Sequence, residues 1–451
     1  MAHRACDLHR RVLRPPAEYA PAFVDQAALA REYVAFALAC DRVLPGLVDC
    51  YLGPPGQRQA ARSDVAGASS TPTGLAARAR WLRTELSRSG MAAVRRDFLD
   101  RQLVALQCAL RRSAGASIGF RAEVQAYFDT DIALGEPDRY RAVHAELDAL
   151  LPGRGSLPAR LGAYREGVRL GPGAVLPAAA RLAGGLRSLA ARGGIGLPAG
   201  ESVELAVVAD RPWSASHHYL GGYRSRVMVN TDVELGPIQL ARLVAHEAYP
   251  GHHTEYVRAE QAVRGPEGPL RPENTVSLVN TPQCLISEGR ADLGLDLLAG
   301  RSYGAWTAGA LADLSCGPIW DVELAMRVER AMLELVAVRQ DAALLLHDRG
   351  VGEEEVLAYL GRWLLVGERR ARQILRFIAH PVWRAYTTTY VEGRRLVGAW
   401  LDVAGVGESV TERYLRLLDE PWTPSSLRAA LAASAPPIAP PTAPGRHGRH
   451  R

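Results

Sequence analysis

Residues 246–253 read HEAYPGHH, and Glu288 follows within SEGRAD. One short stretch thus supplies three imidazoles and a carboxylate, and a second segment offers another carboxylate. The chain has only 12 His in 451 residues, so this clustering is not composition. A zinc hydrolase needs such a set: two His ligands, one Glu ligand, an open position for water, and a further Glu to take the proton of that water. His246, His252 or His253, and Glu288 are the candidate ligands. Glu247 is the candidate base.

The spacing departs from the short HExxH motif. There the two His stand at i and i+4, about 6 Å apart along one helix face. Here position i+4 is Pro250, and the next imidazoles are His252 and His253. On an unbroken helix they would rise about 9 and 10.5 Å from His246. That is too far to share one ion with bonds of about 2 Å. The helix must therefore break. Pro250 removes a backbone donor and clashes with the preceding turn, and Gly251 permits unusual dihedrals. His252 is favoured as the second ligand because it needs the smaller insertion; His253 is the alternative.

A His-Glu pair on a helix is most often a surface feature, and two His after Pro-Gly can bond the carbonyls of a helix end. The acid partner downstream changes that balance. Glu288 lies in a strongly apolar helical stretch, VSLVNTPQCLISEGRADLGLDLL, where a carboxylate needs a partner. Asp292 stands one turn further on the same face. A ligand Glu with a nearby Asp that fixes a ligating imidazole is the expected pattern of such a centre. The competing role for Asp292 is a surface charge paired with Arg290.

With these residues in view, the chain resembles a known family. VAHEAYPGHHTE, NTPQCLISEGRADL, the late HPVWRAYTTTYVEG and the early YLGPPG at 51–56 are similar to a large bacterial family long filed as a domain of unknown function. That family in turn resembles the helical zinc peptidases, which include angiotensin-converting enzyme, oligopeptidases and Taq-type carboxypeptidases. The resemblance spans about residues 50 to 400. It implies a mainly α, gluzincin-like metallopeptidase fold with a small β-sheet before the metal-binding helix, a bound Zn2+, and hydrolysis of peptide bonds. In the angiotensin-converting enzyme group, a His and a Tyr with nine residues between them stabilise the oxyanion. His380 and Tyr390 have that gap, which makes both candidate donors. The resemblance also implies an edge strand that pairs with substrate backbone; the segment at 223–232 is the candidate. Arg224, Arg226 and Arg384 could hold a substrate carboxylate by bidentate bonds, and Tyr386 is a further candidate for substrate binding.

These residues need a scaffold, and the pattern around them is helical. Helices are expected at about 25–50, 73–114, 118–150, 158–170, 173–192, 237–262, 274–299, 304–314, 318–348, 352–380 and 383–403. Two segments alternate as strands, SVELAVVAD at 202–210 and YRSRVMVNTD at 223–232. Residues 1–22 read as a flexible arm, 23–431 as one helical domain with its catalytic half at about 200–405, and 432–451 as a disordered Pro-rich tail.

Composition narrows the function. The chain is 48% apolar with mean hydropathy near zero, which suits a globular protein with a large core. No apolar run reaches the roughly 20 residues that cross a bilayer, and the Arg-rich N-terminus has no apolar signal-peptide core. The net charge of +6 comes mostly from the ends. Arg4, Arg10, Arg11 and Arg14 outnumber Asp7 and Glu18, while Arg446, Arg449 and Arg451 stand unopposed in the tail. With the body near neutral, nucleic-acid binding is disfavoured. The six Cys lack CxxC spacing, as expected of buried free thiols in a reducing cytoplasm. Cys284 lies one turn before Glu288; packing is its expected role, approach to the metal the lesser one. The expected protein is a cytoplasmic zinc hydrolase of short peptides. A zinc amidase acting on a small non-peptide metabolite is the alternative, and an inactive metal-binding regulator is third.

Overall fold

The structure is a computed structural model that describes residues 25–63, 70–211, 213–265, 271–314, 320–403 and 407–434. The expected arm at 1–22 lies outside those residues, as do Cys6 and Cys316. So does most of the expected tail, although the last helix, Pro424–Ser434, covers its first three positions. The chain is mainly α-helical, and a small sheet immediately precedes helix Pro237–Glu247, which carries His246. The mainly α class with a small sheet ahead of this helix is as expected.

The helices form because apolar residues recur at helical spacing. Helix Gln26–Val43 buries Leu29, Tyr33, Phe36, Ala37 and Cys40 on one face, and the Asp25 side chain caps it by accepting from the Ala27 N–H at 3.0 Å. That face packs with helices Pro72–Arg88 and Ala93–Ser113 in an N-terminal core. A second core joins helix Pro172–Arg192 to Pro237–Glu247. The third and largest gathers residues from Ala105–Leu161 and Val328–Leu427, together with Leu285 and Ile286 of helix Pro282–Asp292.

Five strands occur among the described residues. β1 (Val48–Tyr51) and β5 (Val276–Leu278) form an antiparallel pair. β2 (Ser202–Val208), β3 (Ala215–Gly221) and β4 (Arg224–Asn230) form a sheet of order β2-β4-β3, with β2 parallel and β3 antiparallel to β4. The two expected strands are β2 and β4, but β4 is central. The edge strands are β2 and β3, so the substrate-pairing role foreseen for 223–232 cannot be filled by that strand. β3 and β4 meet at Gly222-Tyr223, both at positive φ, as a type I′ hairpin turn requires. Glu260 holds this turn: its carboxylate accepts the Gly222 N–H at 3.1 Å, the Tyr223 N–H at 2.9 Å and the Tyr219 hydroxyl.

Eight of the expected helical spans are interrupted: 73–114, 118–150, 237–262, 318–348 and 352–380 each divide into two helices, and three more depart further. The segment 25–50 ends in β1, and 274–299 begins with β5. The segment 383–403 runs as turns, a π-helical turn at Thr389–Gly393 and helix Arg394–Asp402.

Candidate metal centre

The break in the HEAYPGHH segment is real. Helix Pro237–Glu247 stops, four residues turn, and helix His252–Val263 starts. The Tyr249–Pro250 peptide is cis. Gly251 is required for close approach rather than for a left-handed conformation: a Cβ there would lie 1.7 Å from the His246 carbonyl oxygen. The turn is clamped on both sides. Tyr249 O–H donates to Glu201 at 2.6 Å, and Tyr414 O–H donates to the Pro250 carbonyl at 2.9 Å.

The break folds His252 back onto His246. Their Nε2 atoms are 3.2 Å apart, and each lies close to Glu288: 3.4 Å from His246 Nε2 to Oε2, 3.3 Å from His252 Nε2 to Oε1. Two atoms bound at about 2 Å to one tetrahedral ion are separated by about 3.3 Å. The three donors therefore stand at the spacing of a tetrahedron's edges. Glu288 Oε2 is buried and makes no hydrogen bond, an orphaned acceptor whose need a cation would meet. The residues present fit a divalent metal, and the two N and one O donors suit zinc.

Neighbouring groups aim these ligands. Asp292 Oδ1 lies 2.9 Å from His246 Nδ1, which leaves Nε2 to face the centre. The Nδ1 of His252 faces Glu255, 3.6 Å away, and Ser287, 3.5 Å away. Glu255 is itself held by Arg290 and Ser287. Tyr386 O–H donates to Glu288 Oε1 at 2.9 Å. Two glycines permit this last contact. A Cβ on Gly289 would lie 2.2 Å from the Gly393 carbonyl oxygen, and one on Gly393 would lie 2.4 Å from that of Leu285. The helix carrying Glu288 and the turn carrying Tyr390 thus cross backbone to backbone.

The electrostatics follow from burial and these partners. Burial opposes charge on His246, but Asp292 and Glu288 outweigh it and raise its pKa to about 10. His252 is likewise raised against its burial, chiefly by Glu288. Burial alone would raise Glu288, yet the two imidazoles hold it far below the carboxylate range. The centre thus collects positive charge, which a divalent ion would also supply. Burial raises the Glu247 carboxyl and keeps the Tyr386 and Tyr390 hydroxyls protonated.

The centre opens into a cavity of about 650 Å³, within the usual range for small-ligand sites. Glu247 and Tyr390 line it, and the Tyr390 ring lies 6.4 Å from that of His246. Ala215, Ser216 and His217 bring the free edge of β3 to its wall. Cys284 also lines it with its thiol pushed up by burial, but does not join the ligand cluster.

Other candidates stand elsewhere. His253 is fully enclosed and turned away, 2.8 Å from Glu201 and, through Nδ1, 2.7 Å from Ser225 Oγ. His380 is exposed at the end of helix Glu368–Ala379, where its Nδ1 accepts from the Val382 N–H. It lines the cavity without a contact to the ligands among the described residues. Arg224 is exposed, and Arg226 pairs with Glu204 across β2 and β4. Neither lines the cavity. Arg384 is held by the buried Glu123, which also binds Arg112. Tyr386 lines the cavity, and its hydroxyl binds Glu288. Glu255, Asp49 and His217 line the cavity and were missed from the sequence. Only Glu255 left a signal, one turn after His252 on the same face.

No protein-family model matches the chain, and neither does any curated protein. Solved structures do. A Colwellia psychrerythraea protein described as a "putative lipoprotein" is similar over 95% of this chain and 78% of its own, at 13% identity and a TM-score of 0.51. A second protein so described, of unknown function, from Shewanella oneidensis, matches over 89% and 82% at 13% identity and 0.46. The M32 carboxypeptidase of Deinococcus radiodurans R1 matches over 88% and 93% at 14% identity and 0.37. The first likeness shows a shared fold; the other two are too distant to add to it. Among the described residues, no helix is long and apolar enough to cross a membrane.

Proposed function

We propose that the protein is a zinc-dependent hydrolase that cleaves amide bonds in short peptides. One observation carries the reading. Two imidazole nitrogens and a carboxylate converge at tetrahedral spacing beside an unengaged buried carboxylate, Glu247, on the wall of a ligand-sized cavity.

A zinc ion held by His246, His252 and Glu288 would act as a Lewis acid toward water and the scissile carbonyl. The chain's own groups supply the remaining chemistry. Glu247 follows a ligand directly, so its carboxylate lies beside the centre, where it takes a proton from water and passes it to the leaving nitrogen. Tyr390, kept protonated by burial, donates to the carbonyl oxygen as negative charge builds there. Asp292 and Glu255 hold the Nδ1 sides of the two imidazoles, and Tyr386 holds Glu288. The free edge of β3 offers backbone hydrogen bonds to an extended substrate. The buried free thiols Cys40, Cys50, Cys108 and Cys284 suit a reducing compartment.

The test combines metal analysis of the purified protein with digestion of a broad peptide library. About one zinc per chain and cleavage of short peptides are expected. A protein that takes up no zinc, or a zinc-loaded protein that cleaves only non-peptide amides, would refute the peptidase reading.

A further inference from the structure

We infer that the cavity wall formed by Asp49 and His217 is a subsite for a primary ammonium group, through which the enzyme reads the free amino terminus of its substrate. This rests on the hydrolase reading above. Four carboxylates line the cavity: Asp49, Glu247, Glu255 and Glu288. Three have tasks, as base, as brace of His252 and as ligand. Asp49 of β1 has none in that chemistry. Its Oδ2 accepts the Tyr256 hydroxyl, and among the described residues Oδ1 has no protein partner. Asp49 is exposed, and it stands on the cavity wall.

His217 supplies a second acceptor, and a buried relay makes it one. Glu201 is a carboxylate and can only accept, so His253 Nε2, 2.8 Å away, carries a proton. Arg187 also pairs with Glu201 and offsets its charge. The Nδ1 of His253 then accepts the Ser225 hydroxyl at 2.7 Å. Ser225 Oγ in turn accepts from His217 Nε2 at 2.8 Å. With its proton committed to Nε2, the neutral His217 keeps a lone pair on Nδ1, for which no protein donor exists among the described residues. The last His of the HEAYPGHH segment thus has a role, although it holds no metal.

Tyr256 joins the two acceptors. Its ring stacks on His217 with centroids 5.4 Å apart, and its hydroxyl binds Asp49. A carboxylate and an imidazole lone pair on one wall suit a guest with several N–H donors and positive charge. An anionic group would be repelled there.

The test uses the full-length, zinc-loaded protein and random hexapeptides, half of them N-acetylated, with cleavage followed by mass spectrometry. Peptides with free amino termini should be cleaved at least about tenfold faster, the scale of one charge-assisted hydrogen bond. Asp49→Asn and His217→Phe should each shrink that ratio toward one while zinc content is retained. Should Asp49→Asn fail to fold, the wild-type ratio and His217→Phe decide. Equal cleavage of both halves by the wild type overturns the subsite and leaves the hydrolase reading standing. A ratio that survives in the folded variants does the same. No cleavage of either half overturns the hydrolase reading, and the subsite with it.

Discussion

At the scale of single residues, the two His after Pro250 have opposite orientations. His252 points into the centre, and His253 points out to Glu201 and Ser225. His252→Ala should therefore abolish zinc uptake. His253→Ala should keep zinc but lower stability by roughly 2–4 kcal/mol, because it leaves buried partners unpaired; zinc titration and thermal melts separate the two. Loss of zinc from the His253 variant alone would reverse the assignment. Glu247→Gln should retain metal and fold and lose turnover by at least about a hundredfold, the scale of general acid–base assistance. Near-normal peptide hydrolysis by that variant would point to another base. Asp292→Asn should weaken zinc binding by about 10- to 100-fold, since His246 Nδ1 would lose its charged partner.

Elements bring these residues together, and here sequence and structure part. The break at Pro250-Gly251 was legible, because a proline at i+4 and the reach of zinc bonds leave no other solution. Glu288 and Asp292 were legible because acids in an apolar helix need partners. The strands β1 and β5 were not: four and three residues inside apolar runs look like helix turns. β3 was missed as well, so an edge role was assigned to its neighbour. Arg384 illustrates the limit. Its partner Glu123 lies 261 residues away, and no local pattern reports a buried ion pair between distant helices. The crossing at Gly289 and Gly393 was equally silent. Gly289→Ala should force the backbones apart, cost roughly 3 kcal/mol and weaken zinc binding by displacing Tyr386 from Glu288. An unchanged melting temperature and unchanged zinc affinity would show that the crossing can relax freely.

Across the whole molecule, three apolar cores surround the centre, and the mainly α class could be read from periodicity alone. What ties the sheet to the ligand helices could not. Glu201 does so: it sits before β2 and binds Tyr249, His253 and Arg187. Burial would raise its carboxyl, but these hydrogen bonds outweigh burial and lower it from 4.5 to about 2. A depressed carboxylate contributes stability that is fully present above its unfolded value and is lost as pH falls through its folded value. The melting temperature of the wild type should therefore fall between about pH 4.5 and 2, and Glu201→Gln should start lower and fall less across that window. Parallel acid profiles for the two proteins would remove Glu201 from this role.

The break between His246 and His252 has a consequence for how metal and fold depend on one another. An unbroken helix would hold both imidazoles on one rod, and an ion would merely decorate it. Here His246, His252 and Glu288 belong to three separate helices. An ion bound to all three is a cross-link that closes loops in the chain, and unfolding must either release it or stretch it. Free zinc at a hundred times its dissociation constant would then add about 2.7 kcal/mol to global stability. Stripping the metal with a chelator should lower the melting temperature by several degrees and loosen amide-exchange protection first around residues 248–251. A metal-free protein with the same melting temperature would mean that the turn is held by Glu201 and Tyr414 alone.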